Sequence, residues 1–94
     1  MSAWLSISRT DGYLNDLQAV YSHIEQDNPD PAMRMLLLID DQVAGLADPN
    51  FPRRRGRKVG TMELVAQPNY VVVLQQTKTV VTALNIVHVA RQYP

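Results

Sequence analysis

The chain has 94 residues and a mass of 10.6 kDa, which is the size of one small domain. Its 46% apolar and 19% charged residues are typical of a globular fold, and the absence of cysteine excludes disulfides and thiolate sites. The net charge is zero, yet residues 1–50 carry eight acids and two Lys or Arg, whereas residues 51–94 carry seven Lys or Arg and one acid. This asymmetry predicts a molecule with one cationic face.

Hydrophobic spacing predicts one strand and two helices in the first half. Ala3–Ser8 alternates apolar and polar side chains, as a strand with one buried face does. Residues 10–24 change to helical spacing, and a second helical pattern runs over residues 31–47. Asp27–Pro31 contains two prolines and breaks the pattern, so the two helices are predicted to be antiparallel and joined by a tight connection.

The second half has the composition of strands. Three segments are rich in Val, Thr and Leu and lack proline: Thr61–Ala66, Tyr70–Gln75 and Thr79–Val89. Since only three residues connect one segment to the next, consecutive strands must be antiparallel. The order strand, helix, helix, strand, strand, strand therefore predicts an α+β domain in which an N-terminal helical hairpin packs on an antiparallel sheet.

Before these strands, five cations occur within six residues. They are Arg53, Arg54, Arg55, Arg57 and Lys58. Their mutual repulsion is unfavourable unless water, salt or an anionic partner screens it. One interpretation is a solvated loop, docked on the acidic helices of the same chain. The other, which we favour, is a binding site for the phosphates of a nucleic acid or for an acidic protein segment.

A second candidate site lies at the end of the chain, where His88, Arg91 and Tyr93 follow one another. A histidine that moves a proton, a guanidinium that holds a phosphate and a phenol that stacks on a base could together cleave RNA. The alternative for His88 is a hydrogen-bonded structural residue. Glu63 is expected to pair with the neighbouring arginines, and two histidines without a thiol predict neither a metal site nor a cofactor.

Short motifs in a fixed order cover nearly all of the chain. They are Asp16-Leu17, Asp27-Asn28-Pro29, Gly56-Arg57, Gly60-Thr61, Glu63-Leu64-Val65, Tyr70-Val71-Val72-Val73, Ile86-Val87-His88 and Ala90-Arg91-Gln92-Tyr93-Pro94. In this order, and at this chain length, they resemble the plasmid-stabilisation group of the RelE/ParE superfamily of bacterial type II toxins.

The resemblance implies that residues 1–94 form a single RelE/ParE-like toxin domain, located in the cytoplasm. No membrane span is expected, because the longest apolar runs are Met35–Ile39 and Tyr70–Leu74, far short of the roughly 20 residues that a bilayer requires. It also implies a cognate antitoxin that is acidic and partly disordered and that neutralises the toxin by covering its basic face. The excess of cations in residues 51–94 agrees with a partner of that kind.

Two activities occur in toxins of this superfamily. A ParE-like toxin inhibits DNA gyrase and needs no catalytic residues, whereas a RelE-like toxin is a ribosome-dependent mRNA interferase. For the latter, Arg57, Lys58, His88, Arg91 and Tyr93 would hold and cleave the RNA. Met62 and Asn85 stand where the family usually has arginine. We therefore favour the gyrase inhibitor over the mRNA interferase; an inactive homologue that only binds antitoxin is the third possibility.

Overall fold

The computed structural model describes residues 4–25 and 29–89. Its elements are β1 (Ser6–Arg9), α1 (Asp11–Glu25), α2 (Pro29–Gly45), β2 (Arg54–Arg55), β3 (Met62–Gln67), β4 (Tyr70–Gln76) and β5 (Val80–His88). The predicted α+β class and the order of the six predicted elements are confirmed, with the short β2 as an addition. In the described part of the chain, no helix combines the length and the apolar character needed to cross a bilayer.

The five strands form one sheet in the order β1-β5-β4-β3-β2. From β3 to β5 all neighbours are antiparallel, as predicted, and β2, in a segment that was predicted to be a loop, also pairs with β3 in the antiparallel direction. In contrast, β1 pairs with β5 in parallel, with Ser6 opposite Val80. The prediction of a purely antiparallel sheet is therefore wrong for β1. The two helices carry the chain from β1 to the far edge of the sheet, so no hairpin fixes the direction of β1 against β5.

Both helices pack on the same face of the sheet and enclose the core. Its fully buried side chains from the helices and the following turn are Tyr13, Ile39, Val43 and Leu46; those from this face of the strands include Val72, Leu74 and Val81. The predicted helical hairpin on a sheet is thus confirmed. Apolar burial of this kind contributes about 25 cal/mol for each Å² removed from water.

Helix α1 is attached to β5 by two polar side chains. The hydroxyl of Thr10 accepts the backbone N–H of Tyr13 at 3.1 Å, as a helix N-cap does, and lies 2.9 Å from the carbonyl oxygen of Leu84. Six residues further along, the carboxylate of Asp16 accepts the backbone N–H of Ile86 at 2.9 Å. These bonds satisfy backbone groups beside a β-bulge in β5 and so hold the first half of α1 against that strand.

Asp40 of α2 joins β1 and α1 to the second helix. Its carboxylate accepts hydrogen bonds from Arg9 Nε at 2.8 Å and Arg9 Nη2 at 3.3 Å, and from the hydroxyl of the fully buried Tyr13 at 2.9 Å. Burial, helped by the bond to Asp40, raises the pKa of the Tyr13 phenol well above its ordinary value. Asp40 is therefore bound within the helical half and does not neutralise the arginines that precede β3.

Candidate functional site

A short antiparallel pairing shapes the basic segment. Arg54 and Arg55 of β2 lie opposite Glu63 and Met62 of β3, which folds residues 56–61 into a tight loop. The backbone N–H of Gly56 donates to the Thr61 carbonyl at 2.9 Å, so closely that a side chain at position 56 would clash with Thr61.

At the other end of the same loop, Gly60 has φ of +85°, a conformation that glycine adopts without strain. The Thr61 hydroxyl donates to the Lys58 carbonyl at 2.6 Å. The backbone is thereby fixed, and the loop presents Arg57, Lys58 and Val59 at the protein surface.

Arg54 is paired within the protein. Its Nε donates to Glu63 Oε1 at 3.0 Å, and the Glu63 side chain is only 3% exposed. The other oxygen of Glu63 accepts the backbone N–H of Arg57 at 3.3 Å. The expected pairing of Glu63 with a neighbouring arginine is confirmed, and this buried carboxylate also holds the start of the loop.

Arg53 also has internal partners, all of which are oxygen acceptors. Its Nη2 donates to the Asp48 carbonyl at 2.6 Å, its Nε to the Phe51 carbonyl at 3.0 Å and its Nη1 to Gln76 Oε1 at 3.0 Å. Partial burial lowers the pKa of the Arg53 guanidinium from its ordinary value. Arg53 therefore joins the segment after α2 to the end of β4. Arg53 and Arg54, two of the five predicted phosphate-binding cations, thus have structural contacts within the protein.

The remaining cations surround an open groove of about 850 Å³. We call it the cationic groove; its charged lining residues are Arg55, Arg57, Lys58 and Lys78. The first three come from β2 and the loop after it, and Lys78 comes from the turn between β4 and β5. All four are exposed, and no acidic residue lines the groove. The structure thus brings three predicted cations together with a fourth that sequence reasoning missed.

His88 lies far from this groove. It is opposite Tyr70 at the other end of the sheet, where the Tyr70 ring meets it edge-on at 4.9 Å and the His23 ring of α1 lies 6.4 Å away. Its side chain is thus on the face that the helices cover. Between Tyr70 and Gln76, which lines the cationic groove, β4 advances six residues, or roughly 20 Å. Arg91 and Tyr93 lie outside the described residues.

Within residues 4–25 and 29–89, no three His, Asp or Glu side chains come together as a metal site would require. The chemistry available at the cationic groove is the binding of anions by guanidinium and ammonium groups, supported by the hydroxyl of Thr77 and the amide of Gln76.

The sequence of this chain matches a known protein family, and its fold is similar to those of known proteins. The family model described as ParE toxin of type II toxin-antitoxin system, parDE, matches residues 7–93. No curated protein matches the sequence. The fold is similar to the solved structure of a chromosomal ParDE toxin–antitoxin system from P. aeruginosa, with a TM-score of 0.80 and 21% identity over 93% of this chain and 98% of that chain.

Two further solved structures share the fold at lower similarity. YafQ from E. coli strain BL21(DE3) has a TM-score of 0.59 and 12% identity over 96% of this chain and 99% of that one. The E. coli DinJ–YafQ toxin–antitoxin complex has a TM-score of 0.55 and 14% identity over 97% of this chain and 99% of the matched chain. The family model spans nearly the whole sequence, and the chain therefore belongs to the ParE toxin family of type II toxin–antitoxin systems, within the RelE/ParE superfamily that its motifs predicted.

Proposed function

We propose that this toxin arrests growth by binding DNA gyrase, and that a cognate antitoxin neutralises it. The observation that carries the proposal is the separation of His88 from the cationic groove by roughly 20 Å of sheet. RNA cleavage requires a proton-transfer group within hydrogen-bond reach of the phosphate that cations hold. Arg57 and Lys58 cannot hold a phosphate on which His88 acts, and this geometry favours a toxin that works by binding.

Positions 62 and 85, which the family usually fills with arginine, also favour a toxin that works by binding. Met62 is partly buried against the core and adds apolar lining to the cationic groove, and Asn85 is a half-buried neutral residue of β5 opposite Val73. Neither side chain can stabilise the charge of a pentacovalent phosphate as a guanidinium does. A surface that binds a protein target has no such requirement.

The proposed antitoxin is an acidic, partly disordered segment whose charge complements that of the second half of the chain. The P. aeruginosa relative is part of a ParDE toxin–antitoxin system, and YafQ has been solved in complex with DinJ. In this chain, seven of the nine Lys and Arg residues follow position 50, so its second half offers charge complementarity to an acidic partner. Co-expression with the neighbouring gene, followed by purification on a tag attached to the toxin, should recover a stable complex.

Supercoiling of relaxed plasmid by purified bacterial gyrase tests the proposed target. We expect the purified chain, in molar excess, to stop supercoiling, and an equimolar amount of the co-purified antitoxin to restore it. Complete supercoiling at a large excess of toxin would reject gyrase as the target.

The change His88→Gln separates the gyrase inhibitor from the mRNA interferase. We expect the variant to arrest growth as wild type does, because binding gyrase needs no proton transfer at position 88. Growth after induction, mapping of transcript ends and the Tm of the purified variant are measured together. The interferase would be established instead by two results together. Wild type would cleave transcripts, and the variant, with an unchanged Tm, would neither cleave them nor arrest growth.

A further inference from the structure

Three charges of the cationic groove, those of Arg55, Lys58 and Lys78, lack a carboxylate partner among the described residues, since no carboxylate there lies within 4.0 Å of their side-chain nitrogens. The nearest acid in the sequence, Glu63, is buried and bound to Arg54. Like charges around one open volume raise the free energy of the unbound protein, and a polyanion in that volume lowers it.

The groove is a local feature and does not follow from the total charge. The chain has a net charge of zero, so its overall field does not attract a polyanion. Among the described residues, cations from two separate parts of the chain converge at the groove: the segment formed by β2 with the loop after it, and the turn before β5. This local concentration of positive charge can attract a polyanion even though the net charge is zero.

We infer that the cationic groove binds the sugar–phosphate backbone of duplex DNA, and that it does so beside gyrase. This inference rests on the proposed function, because the substrate of gyrase is duplex DNA. Phosphate contacts need exposed Arg and Lys, assisted by polar side chains such as those of Gln76 and Thr77, which also line the groove.

An acidic protein segment is the competing occupant, and the lining of the groove favours DNA over it. Protein interfaces draw most of their affinity from apolar and aromatic anchors in fully desolvated pockets. The large apolar side chains of this groove are those of Val59 and Met62, and Val59 is 99% exposed. Such a surface holds a charged backbone, whereas it gives a peptide side chain no enclosed pocket.

Fluorescence anisotropy with a labelled 20-base-pair duplex measures the predicted binding. Three phosphate contacts, from Arg55, Lys58 and Lys78, give a slope of about −2.7 for log K against log salt, or about a 40-fold loss of affinity between 50 and 200 mM. Each of Arg55→Gln, Lys58→Gln and Lys78→Gln should make this slope shallower by about 1. Arg34→Gln, which removes one exposed cation from α2, is the matched control and should leave the slope unchanged.

Two outcomes of these binding measurements would overturn the inference. An equal effect of Arg34→Gln would show that net charge, and not the groove, governs binding. Tighter binding of a labelled oligoglutamate peptide than of the duplex, weakened by Lys78→Gln, would assign the groove to an acidic protein segment.

The gyrase assay separates this inference from the proposed function. If wild type inhibits supercoiling, and the three groove variants inhibit equally and bind DNA like wild type, the groove inference alone is refuted. If wild type does not inhibit gyrase at all, the proposed function fails, whatever the DNA affinity.

Discussion

Replacing Arg54 by methionine is expected to lower the free energy of unfolding by about 3 kcal/mol. The change removes the guanidinium whose Nε donates to Glu63 Oε1 at 3.0 Å, beside a carboxylate whose side chain is only 3% exposed. Removing one partner of a buried ion pair costs about 3–5 kcal/mol, and the half-exposed Arg54 places this pair at the lower limit. Urea denaturation followed by far-UV circular dichroism measures the loss.

Arg55→Met is the matched control for this prediction. It removes the same charge from the adjacent residue of β2, where no carboxylate of the described residues is paired with it, and should change the stability by less than about 0.5 kcal/mol. The double variant Arg54→Met with Glu63→Met should recover most of the loss, since an apolar pair replaces the buried charge. Equal stability of Arg54→Met and Arg55→Met would show that the Arg54–Glu63 pair does not organise the loop.

The second large effect is expected at Asp40, whose replacement by alanine should destabilise the fold by about 3 kcal/mol. Its carboxylate accepts hydrogen bonds from Arg9 and from the hydroxyl of Tyr13, a fully buried residue. A hydrogen bond to a charged group contributes about 1.5–3 kcal/mol, and a buried donor left without an acceptor costs about 1–3 kcal/mol. Asp41→Ala, an exposed change at the next position, should stay within about 0.5 kcal/mol.

The same network predicts a loss of stability at alkaline pH. Burial raises the pKa of Tyr13, so the folded protein keeps the phenol proton at a pH where the unfolded chain, with a tyrosine pKa of about 10, has released it. The stabilisation that the protonated Tyr13 gives the folded state is therefore complete below pH 10. Above pH 10 the free energy of unfolding decreases, by at most about 1.4 kcal/mol for each pH unit. Tyr13→Phe should remove this part of the pH dependence; parallel profiles for the two proteins would contradict it.

Local sequence patterns determined most of the fold. Strand β3 was predicted as Thr61–Ala66 and is found at Met62–Gln67, because its Val- and Leu-rich composition differs clearly from the loops beside it. The parallel pairing of β1 with β5 was not predictable in this way. It depends on how the two helices between β1 and β2 pack on the sheet, and the pattern of residues within one short segment does not determine that packing. The two-residue strand β2 is too short to have a pattern at all.

The candidate site was predictable in composition but not in the roles of its residues. The arginine cluster is visible in the sequence, whereas the structural roles of Arg53 and Arg54 depend on the acceptors near them in space, including the buried Glu63. Lys78 was missed because a single lysine in a turn carries no signal by itself. The direction of the strands could have identified it. In an antiparallel meander, the turn after β4 lies at the same end of the sheet as the start of β3, next to the arginine cluster.

Growth after induction of three forms of the chain, without antitoxin, tests most directly whether the cationic groove is the surface through which this toxin acts. The forms are wild type, the groove variant with Arg55, Lys58 and Lys78 all changed to glutamine, and the control Arg34→Gln. We expect wild type and the control to arrest growth, and the groove variant, at equal protein level and equal Tm, to allow it. Arrest by the groove variant as rapid as that by wild type would contradict this account.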